Sequence, residues 1–182
     1  EELLDILVLV HPAAPKTWSV KGDFLLRDGR LDEAIAAYEK VIELQNDKYP
    51  VWNQLLQLYI ETDEYSKLQV QSEKAIELFP NMPMFYYYNG IACFMNGNYQ
   101  KAIDAYTIGQ SLVINDPNQK IKFLVGFAEA NAKLKRYTDA EGEYEYAINM
   151  QPNNFLVLTS YAYYLCNVKN DLVKAKDLAT RA

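Results

Sequence analysis

The residues that could carry chemistry in this chain are few and lie far apart. Histidine occurs once, as His11 beside Pro12, and the two cysteines are Cys93 and Cys166. A zinc site needs several imidazole or thiolate ligands at short spacings, and a lone histidine at a turn is typical of a solvated residue. We therefore predict no metal site and no cofactor, and two cysteines that are buried small hydrophobes without a disulfide between them.

Carboxylates are more numerous, and Glu141, Glu143 and Glu145 form a short cluster. A glycosidase-type acid–base pair would need two such groups to flank a pocket, whereas this spacing is typical of the solvated outer face of a helix. The sequence also contains no glycine-rich phosphate-binding loop of the GxGxxG or GxxxxGK type. These patterns predict a protein that is not an enzyme.

The composition limits the classes of partner. The chain has 182 residues, half of them hydrophobic, and a net charge of −6, which disfavours nucleic acid because phosphate contacts need a basic face. The longest uncharged apolar stretch, Ile6 to Val10, is much shorter than a membrane-spanning helix. We therefore predict no nucleic-acid binding and no membrane insertion by this segment.

The aromatic residues reveal an internal repeat. Trp18 and Trp52 are 34 residues apart (52 − 18), and Tyr65 and Tyr99 have the same separation (99 − 65). A period of this size, with two amphipathic helical stretches in each copy, indicates stacked helix pairs and an all-α fold.

The period lengthens once. Tyr106 and Tyr144 are 38 residues apart (144 − 106), so a four-residue insertion lies between the third and fourth copies. Asp116 is a favourable N-cap and Pro117 a favourable first helical residue. The insertion should therefore lengthen a helix by about one turn, starting near Pro117, and should not form a loose loop.

Prolines and glycines mark the expected helix ends. Gly29 and Gly97 lie where a left-handed residue would end a helix. All seven prolines fall at boundaries, either just after a second helix or in the first turn of the next one, where the missing N–H costs nothing. The first group is Pro12, Pro80 and Pro152, and the second is Pro15, Pro50, Pro83 and Pro117.

This pattern resembles the tetratricopeptide repeat (TPR) family, in which an aromatic is followed by a small residue, then by Ala-x3-aromatic, and finally by Pro. Each copy supplies several of these residues, namely Trp18, Gly22, Ala34 and Tyr38; Trp52, Tyr59, Ala75 and Pro80; Tyr86, Gly90, Ala102 and Tyr106; Ala128, Ala140, Tyr144, Ala147 and Pro152; Leu158, Ala162, Ala175 and Ala179. The resemblance implies a right-handed solenoid of antiparallel helix pairs. It is similar in style to long bacterial TPR proteins, many of them exported, which favours the bacterial envelope or periplasm over the cytoplasm.

The expected repeat boundaries follow from the period. We expect a piece of a longer repeat protein, divided as follows: 1–14, the second helix of a truncated preceding repeat; 15–48, TPR 1; 49–82, TPR 2; 83–116, TPR 3; 117–154, TPR 4 with its first helix extended; and 155–182, a truncated TPR 5. In TPR 2, Leu56 replaces the small residue while Leu68 and Ser72 replace the alanine and the aromatic, so this pair should pack with a wider or shifted angle. TPR 5 carries one extra residue, expected in its turn around Asn170.

The resemblance also implies which residues bind a partner, since the first helix of each TPR pair lines a concave groove. The peptide-binding candidates are Asn53, Gln57, Met84, Tyr87, Tyr88, Ile91, Phe94, Met95, Lys122, Glu129, Lys133 and Tyr163. The third copy would supply an apolar, aromatic floor of the kind that dominates protein interfaces. Alternatively, neighbouring helices bury these rings and leave no exposed patch.

Two functions remain open from the sequence. The first is a scaffold that binds a peptide or protein segment of unknown identity in the concave groove. The second is a structural spacer or self-assembly module within a longer TPR protein. A clamp for a partner's C-terminal carboxylate is disfavoured, because the corresponding positions lack the lysine, arginine and asparagine residues of that TPR subclass; they are Ser19, Asp23, Gln54, Met84 and Tyr88.

Overall fold

All regular structure in residues 2–182, which the computed structural model describes, is helical. The chain divides into two compact units, one ending at Pro80 and the other beginning at Asn81. The first unit contains five helices: α1 (Glu2–Val10), α2 (Pro15–Arg27), α3 (Leu31–Leu44), α4 (Tyr49–Glu61) and α5 (Tyr65–Leu78). In this unit α2 packs on α3, and α4 packs on α5.

The second unit continues the alternation. Its helices are α6 (Pro83–Met95), α7 (Tyr99–Ser111), α8 (Pro117–Lys133), α9 (Tyr137–Met150), α10 (Phe155–Tyr164) and α11 (Leu172–Arg181), with a π-helical turn (Leu165–Lys169) after α10. Helices α6 and α7, α8 and α9, and α10 and α11 form the three pairs.

The predicted helix boundaries are confirmed at the prolines and glycines. The four prolines expected in first turns each lie at the start of an even-numbered helix, from α2 to α8. Gly29 and Gly97 have φ angles of 75° and 79°, the left-handed conformation that ends a helix without a Cβ penalty. Asp63, Lys135 and Asn170 adopt the same conformation in the turns of the other three pairs.

Helix α8 contains the four additional residues. It has 17 residues, against 13 in each of α2, α4 and α6. The Asp116 carboxylate accepts a hydrogen bond from the Gln119 backbone N–H at 2.9 Å, which caps the helix start. Because one turn holds 3.6 residues, the added turn keeps the apolar face nearly in phase, and both Ile121 and Leu124 are buried. The division into repeats at the boundaries given above stays a prediction.

The extra residue of the last pair does not lengthen the turn, which corrects the expectation. Asn170, the left-handed residue, follows Leu158 by 12 positions (170 − 158), whereas Asp63 follows Trp52 by 11 (63 − 52). The π-helical turn absorbs the difference, because its wider loop holds one more residue than an α-turn. Ala175 and Leu178 of α11 consequently still face the core.

The α4/α5 pair packs less closely than α2/α3, α6/α7 and α8/α9, while the wider or shifted angle expected for it stays a prediction. Leu56, Leu68 and Ser72 are completely buried between the two helices. The backbones of α4 and α5 approach closely over a much shorter stretch than those of α2/α3, α6/α7 or α8/α9. A leucine between two helices therefore holds them apart where a glycine allows close contact.

Candidate functional site

The first helices of the second unit lie side by side. Helix α6 contacts α8, and α8 contacts α10, whereas the second helices α7 and α9 have almost no close backbone approach. In the second unit, successive first helices are therefore close neighbours, whereas the second helices α7 and α9 stand farther apart. The implied groove positions of α6, α8 and α10 consequently belong to neighbouring helices.

Tyr87 and Lys122 meet on this first-helix side. The Tyr87 ring centroid lies 5.5 Å from that of Phe123 and 6.0 Å from that of Tyr106, and the Lys122 ammonium lies 5.9 Å from the Tyr87 centroid. Burial raises the pKa of Tyr87 to about 12, with the charge of Glu129 as a further cause. Tyr87 is thus a neutral ring at physiological pH, and its face attracts the lysine cation.

Glu129 is the partly buried carboxylate of this region. Burial raises its pKa above the ordinary value, while a hydrogen bond from the Ser160 side chain and the charge of Lys133 act in the opposite direction. A carboxylate in such surroundings accepts hydrogen bonds more strongly than one in water. Tyr87, Lys122, Glu129 and Lys133 therefore form one electrostatic cluster on α6 and α8.

Neighbouring helices cover the expected aromatic floor of the third copy only in part. Tyr88 is only 3% exposed, and it stands in the packed layer between helices. Tyr87 and Phe94 are partly buried and pack against the core cluster that contains Tyr106, and Ile91 is also partly buried. Because α7 and α8 both contact this region, Tyr88 belongs to the core, while Tyr87, Ile91 and Phe94 keep part of their surface exposed. Met95 is 50% exposed.

The remaining candidates differ in exposure. Met84 is partly buried, Lys133 is exposed, and Tyr163 of α10 is 72% exposed. Asn53 and Gln57 lie on α4 of the first unit, the former partly buried and the latter exposed. In addition, Val125, which the TPR pattern places in the groove, is buried in the core of the second unit.

The isolated chemical groups do not assemble. Within residues 2–182, no cluster of three or more His, Cys, Asp or Glu side chains could hold a metal ion. In the same residues, no helix is both long enough and apolar enough to cross a bilayer. Cys93 is buried as expected, but Cys166, which lies in the π-helical turn, is exposed; both are free thiols.

Grooves on the second-helix side were not foreseen from the sequence. In the first unit, a groove of about 570 Å³ lies between α3 and α5; in the second unit, grooves of similar size lie between α7 and α9. Glu143, expected to be solvated, is partly buried in one of them, whereas Glu141 pairs with Lys169 and Glu145 with Lys174. One signal of this groove was present in the sequence: Gly142 lies inside α9, where no turn requires a glycine.

Comparisons with known proteins agree with this fold. Two tetratricopeptide repeat family models match the chain, one over residues 15–48 and the other over residues 73–118. The human tetratricopeptide repeat protein 13 is 24% identical over 103 residues, which are 57% of this chain and 12% of the human protein. The chain thus spans only a small part of that relative.

Several solved structures share the helix arrangement. A TPR protein from Parabacteroides merdae has a TM-score of 0.84 at 17% identity, covering 99% of this chain and 70% of its own. MamA has a TM-score of 0.73 at 21% identity, with 92% and 88% coverage. YrrB, described as a TPR protein with an unusual peptide-binding site, has a TM-score of 0.66 at 14% identity, with 98% and 89% coverage. The two family models and the shared helix arrangement lead to one conclusion: the chain contains tetratricopeptide repeats and folds as a TPR solenoid.

Proposed function

We propose that this chain is a non-enzymatic scaffold whose first-helix face in the second unit binds an extended peptide or protein segment. The observation that carries the proposal is the cluster of Tyr87, Lys122 and Glu129 on the adjacent helices α6 and α8. The Lys122 cation and the partly buried Glu129 carboxylate both act on Tyr87, and together they offer a donor and an acceptor to the alternating C=O and N–H groups of a peptide backbone. TPR scaffolds are in general protein-interaction modules, and YrrB provides one case with a peptide-binding site.

Exposed apolar side chains would supply the anchors. Met95 at the end of α6 and Tyr163 near the end of α10 are both well exposed. Aromatic residues and methionine are enriched at protein interfaces, where a few of them carry most of the binding free energy. Lys133 at the end of α8 adds a second cation at the surface. In this proposal the partner contributes apolar side chains to Met95 and Tyr163 and polar backbone groups to Lys122 and Glu129.

A peptide library displayed on phage and selected on the immobilised protein tests the proposal. The affinities of selected peptides for Tyr163→Ala and Glu129→Gln should fall by about tenfold or more, since central interface residues commonly contribute this much. Phe155→Ala is the matched control, because Phe155 lies on the same helix and is also exposed but lies outside the groove positions. If all three variants bind equally well, the first-helix face is not the site.

Tyr87→Ala with Phe94→Ala is a less useful variant. Both rings pack against the core cluster, so their removal should lower stability as well as any affinity. Circular dichroism during thermal unfolding would show that loss before binding is measured.

The second candidate function is self-association, which one feature of the first unit favours. Helix α1 has no buried residue, and four of its apolar side chains are well exposed: Leu3, Ile6, Leu9 and Val10. An apolar helix face of this kind is typical of a contact with another helix. Light scattering should give a mass above 21.0 kDa if α1 binds a second copy. Ile6→Lys should then restore the monomer mass.

A further inference from the structure

The groove between α7 and α9 has an apolar part and one polar wall, which α9 supplies. Phe127 of α8 and Ile103 of α7 form its apolar part, while Asp139, Glu143 and Tyr146 line the α9 side. The cavity measures about 560 Å³, and it adjoins a second one of about 570 Å³ through the shared residues Glu143 and Tyr146. Both grooves are open to solvent along one side, so they suit an extended segment better than a small molecule, which needs a pocket that encloses most of its surface.

Asn131 presents its side-chain amide at the floor of this groove. The residue is only 8% exposed and lines the cavity, and its amide, which makes no hydrogen bond within residues 2–182, is not sealed off from solvent. An amide that opens into a groove can exchange its bound water for a hydrogen bond to a ligand. Asn131 can both donate and accept, which fits the backbone of an incoming peptide.

Gly142 keeps the groove wall open. A Cβ at this position would meet no other atom within 4 Å, and the residue lies inside α9 without a positive φ angle. Glycine in a helix interior costs roughly 0.5–1 kcal/mol relative to alanine, and neither packing nor turn geometry requires it here. The missing side chain instead leaves room beside Asp139 and Glu143.

The charges of the groove are unbalanced. Asp139 and Glu143 form no ion pair within residues 2–182, and burial together with the charge of Asp139 raises the pKa of Glu143. At the other end of the groove, Lys120 donates a hydrogen bond to Tyr146 Oη at 3.2 Å and stacks its ammonium 5.4 Å from the ring centroid. Lys120 thus contacts Tyr146 at one end of the groove. At the other end, no cationic side chain within residues 2–182 pairs with Asp139 or Glu143.

We propose that the groove between α7 and α9 binds a lysine or arginine side chain presented by a segment of a partner protein. The aliphatic stem lies along Phe127, Ile103 and Tyr146, and the cationic head is placed between the carboxylates of Asp139 and Glu143. The backbone of the segment hydrogen-bonds to Asn131. This site uses the second-helix side, and none of its residues belongs to the first-helix face proposed above.

An NMR titration of the isotope-labelled chain tests the site directly. The probe is acetyl-Ala-Ala-Lys-Ala-Ala-amide, and its control is the same peptide with norleucine, which keeps the stem and lacks the ammonium. The lysine peptide should shift the Asn131 side-chain amide and the Gly142 backbone amide in a saturable way. The norleucine peptide should bind about tenfold more weakly or worse, because it lacks the charge-assisted hydrogen bonds. Equal binding of the two peptides would overturn the proposal.

Two neighbouring glutamates on α9 provide a matched pair of variants. Glu143→Gln should weaken the lysine peptide about tenfold, since it removes a carboxylate that contacts the cation. Glu145→Gln removes the same charge two residues away, in the groove between α9 and α11, and should leave the affinity nearly unchanged. If both variants weaken binding equally, the peptide responds only to the overall negative charge and the site is wrong.

Gly142→Leu blocks the groove sterically. The open space around Gly142 means that the variant should fold, and helical circular dichroism with a melting temperature that is not lowered checks this. The lysine peptide should then produce no shift at Asn131. A further probe, n-butylamine, separates a protein segment from a free amine. Binding of the amine as strong as that of the peptide would assign the groove to small amines and overturn the proposal.

Discussion

The α6/α7 and α4/α5 helix pairs place a large and a small residue at equivalent positions in opposite order. In α6/α7 the first helix has Gly90 and the second has Tyr106, 16 residues later (106 − 90); in α4/α5 the first helix has Leu56 and the second has Ser72, again 16 later (72 − 56). All four residues are buried. The α6 and α7 backbones nevertheless approach closely along much of their length, and those of α4 and α5 do not.

The difference shows that the position of the large side chain, as well as its size, decides the helix separation. A Cβ added to Gly90 would lie only 2.1 Å from Tyr106 Cε1, so the ring rests directly on the glycine backbone. Leu56 branches close to its own helix and prevents this approach. Helix α5 also contains an unsatisfied polar group, since Gln71 Oε1 is buried and accepts no hydrogen bond within residues 2–182.

The largest expected difference in stability between the two helix pairs comes from truncating the second-helix residue of each pair to alanine. Tyr106→Ala should lower the free energy of unfolding by about 3–5 kcal/mol, because it removes a buried ring and leaves a cavity. Ser72→Ala at the equivalent position should cost about 1 kcal/mol or less, since its hydroxyl donates to the Gln69 carbonyl of its own helix. Urea unfolding followed by circular dichroism measures both. Similar losses would mean that the two interfaces do not differ as described.

A smaller effect should follow from closing the glycine contact. Gly90→Ala should cost about 1–3 kcal/mol, because the Tyr106 ring must move to admit the methyl group. Gly22→Ala in α2 should cost less, since its Cβ would lie 3.0 Å from the Tyr38 ring, and the better helix propensity of alanine offsets part of the strain. Thermal melts of the two variants should therefore rank Gly90→Ala below Gly22→Ala, and the reverse order would contradict the contact geometry.

Replacing the unsatisfied Gln71 side chain of α5 by an apolar one should stabilise the protein. Gln71→Met removes a buried oxygen that has no hydrogen-bond donor, and this should raise the free energy of unfolding by about 1 kcal/mol. Gln69→Met on the same helix is the control, because Gln69 donates to Glu73 at 3.3 Å and gains nothing from the change. Urea titrations in which Gln71→Met is no more stable than the unmodified chain would show that the oxygen has a solvent partner.

The smallest effect concerns a glycine without a contact. Gly142→Ala should raise stability by roughly 0.5–1 kcal/mol, since the added methyl meets no neighbour and alanine favours the helix. It completes a series with Gly90 and Gly22 in which the sign follows the distance to the nearest ring. A destabilised Gly142→Ala variant in a thermal melt would break that series.

The helix boundaries could be predicted because single residues determine them. Pro117 and the Asp116 cap fix the start of α8, and Gly29 and Gly97 fix two helix ends through their backbone conformation. The extra residue of the last pair was wrongly predicted in the turn around Asn170, because the residue types of a single sequence do not distinguish a π-helical turn from an α-helix. Its residues fit an α-helix equally well, and the choice depends on keeping Ala175 in the core.

The candidate site was harder to predict. The repeat period identifies which face of a helix a residue occupies, but not whether neighbouring helices bury that residue. Tyr88 and Val125 occupy positions on or beside the TPR groove pattern, yet adjacent helices bury both. The contact between Lys122 and Tyr87 joins two helices of different copies, which no spacing within one copy reveals. Asn131 has no signal in the sequence, since an asparagine near a helix end is ordinary until its place at the floor of a groove is known.

The π-helical turn also has a practical chemical consequence. The turn contains the exposed Cys166, whereas Cys93 in α6 is buried, and both thiols are free. A thiol-specific maleimide dye should therefore attach to the folded chain at one position only, without any mutation. Cys166 follows the exposed Tyr163 by three residues (166 − 163), so the attached dye would report by its fluorescence when a ligand covers the end of α10.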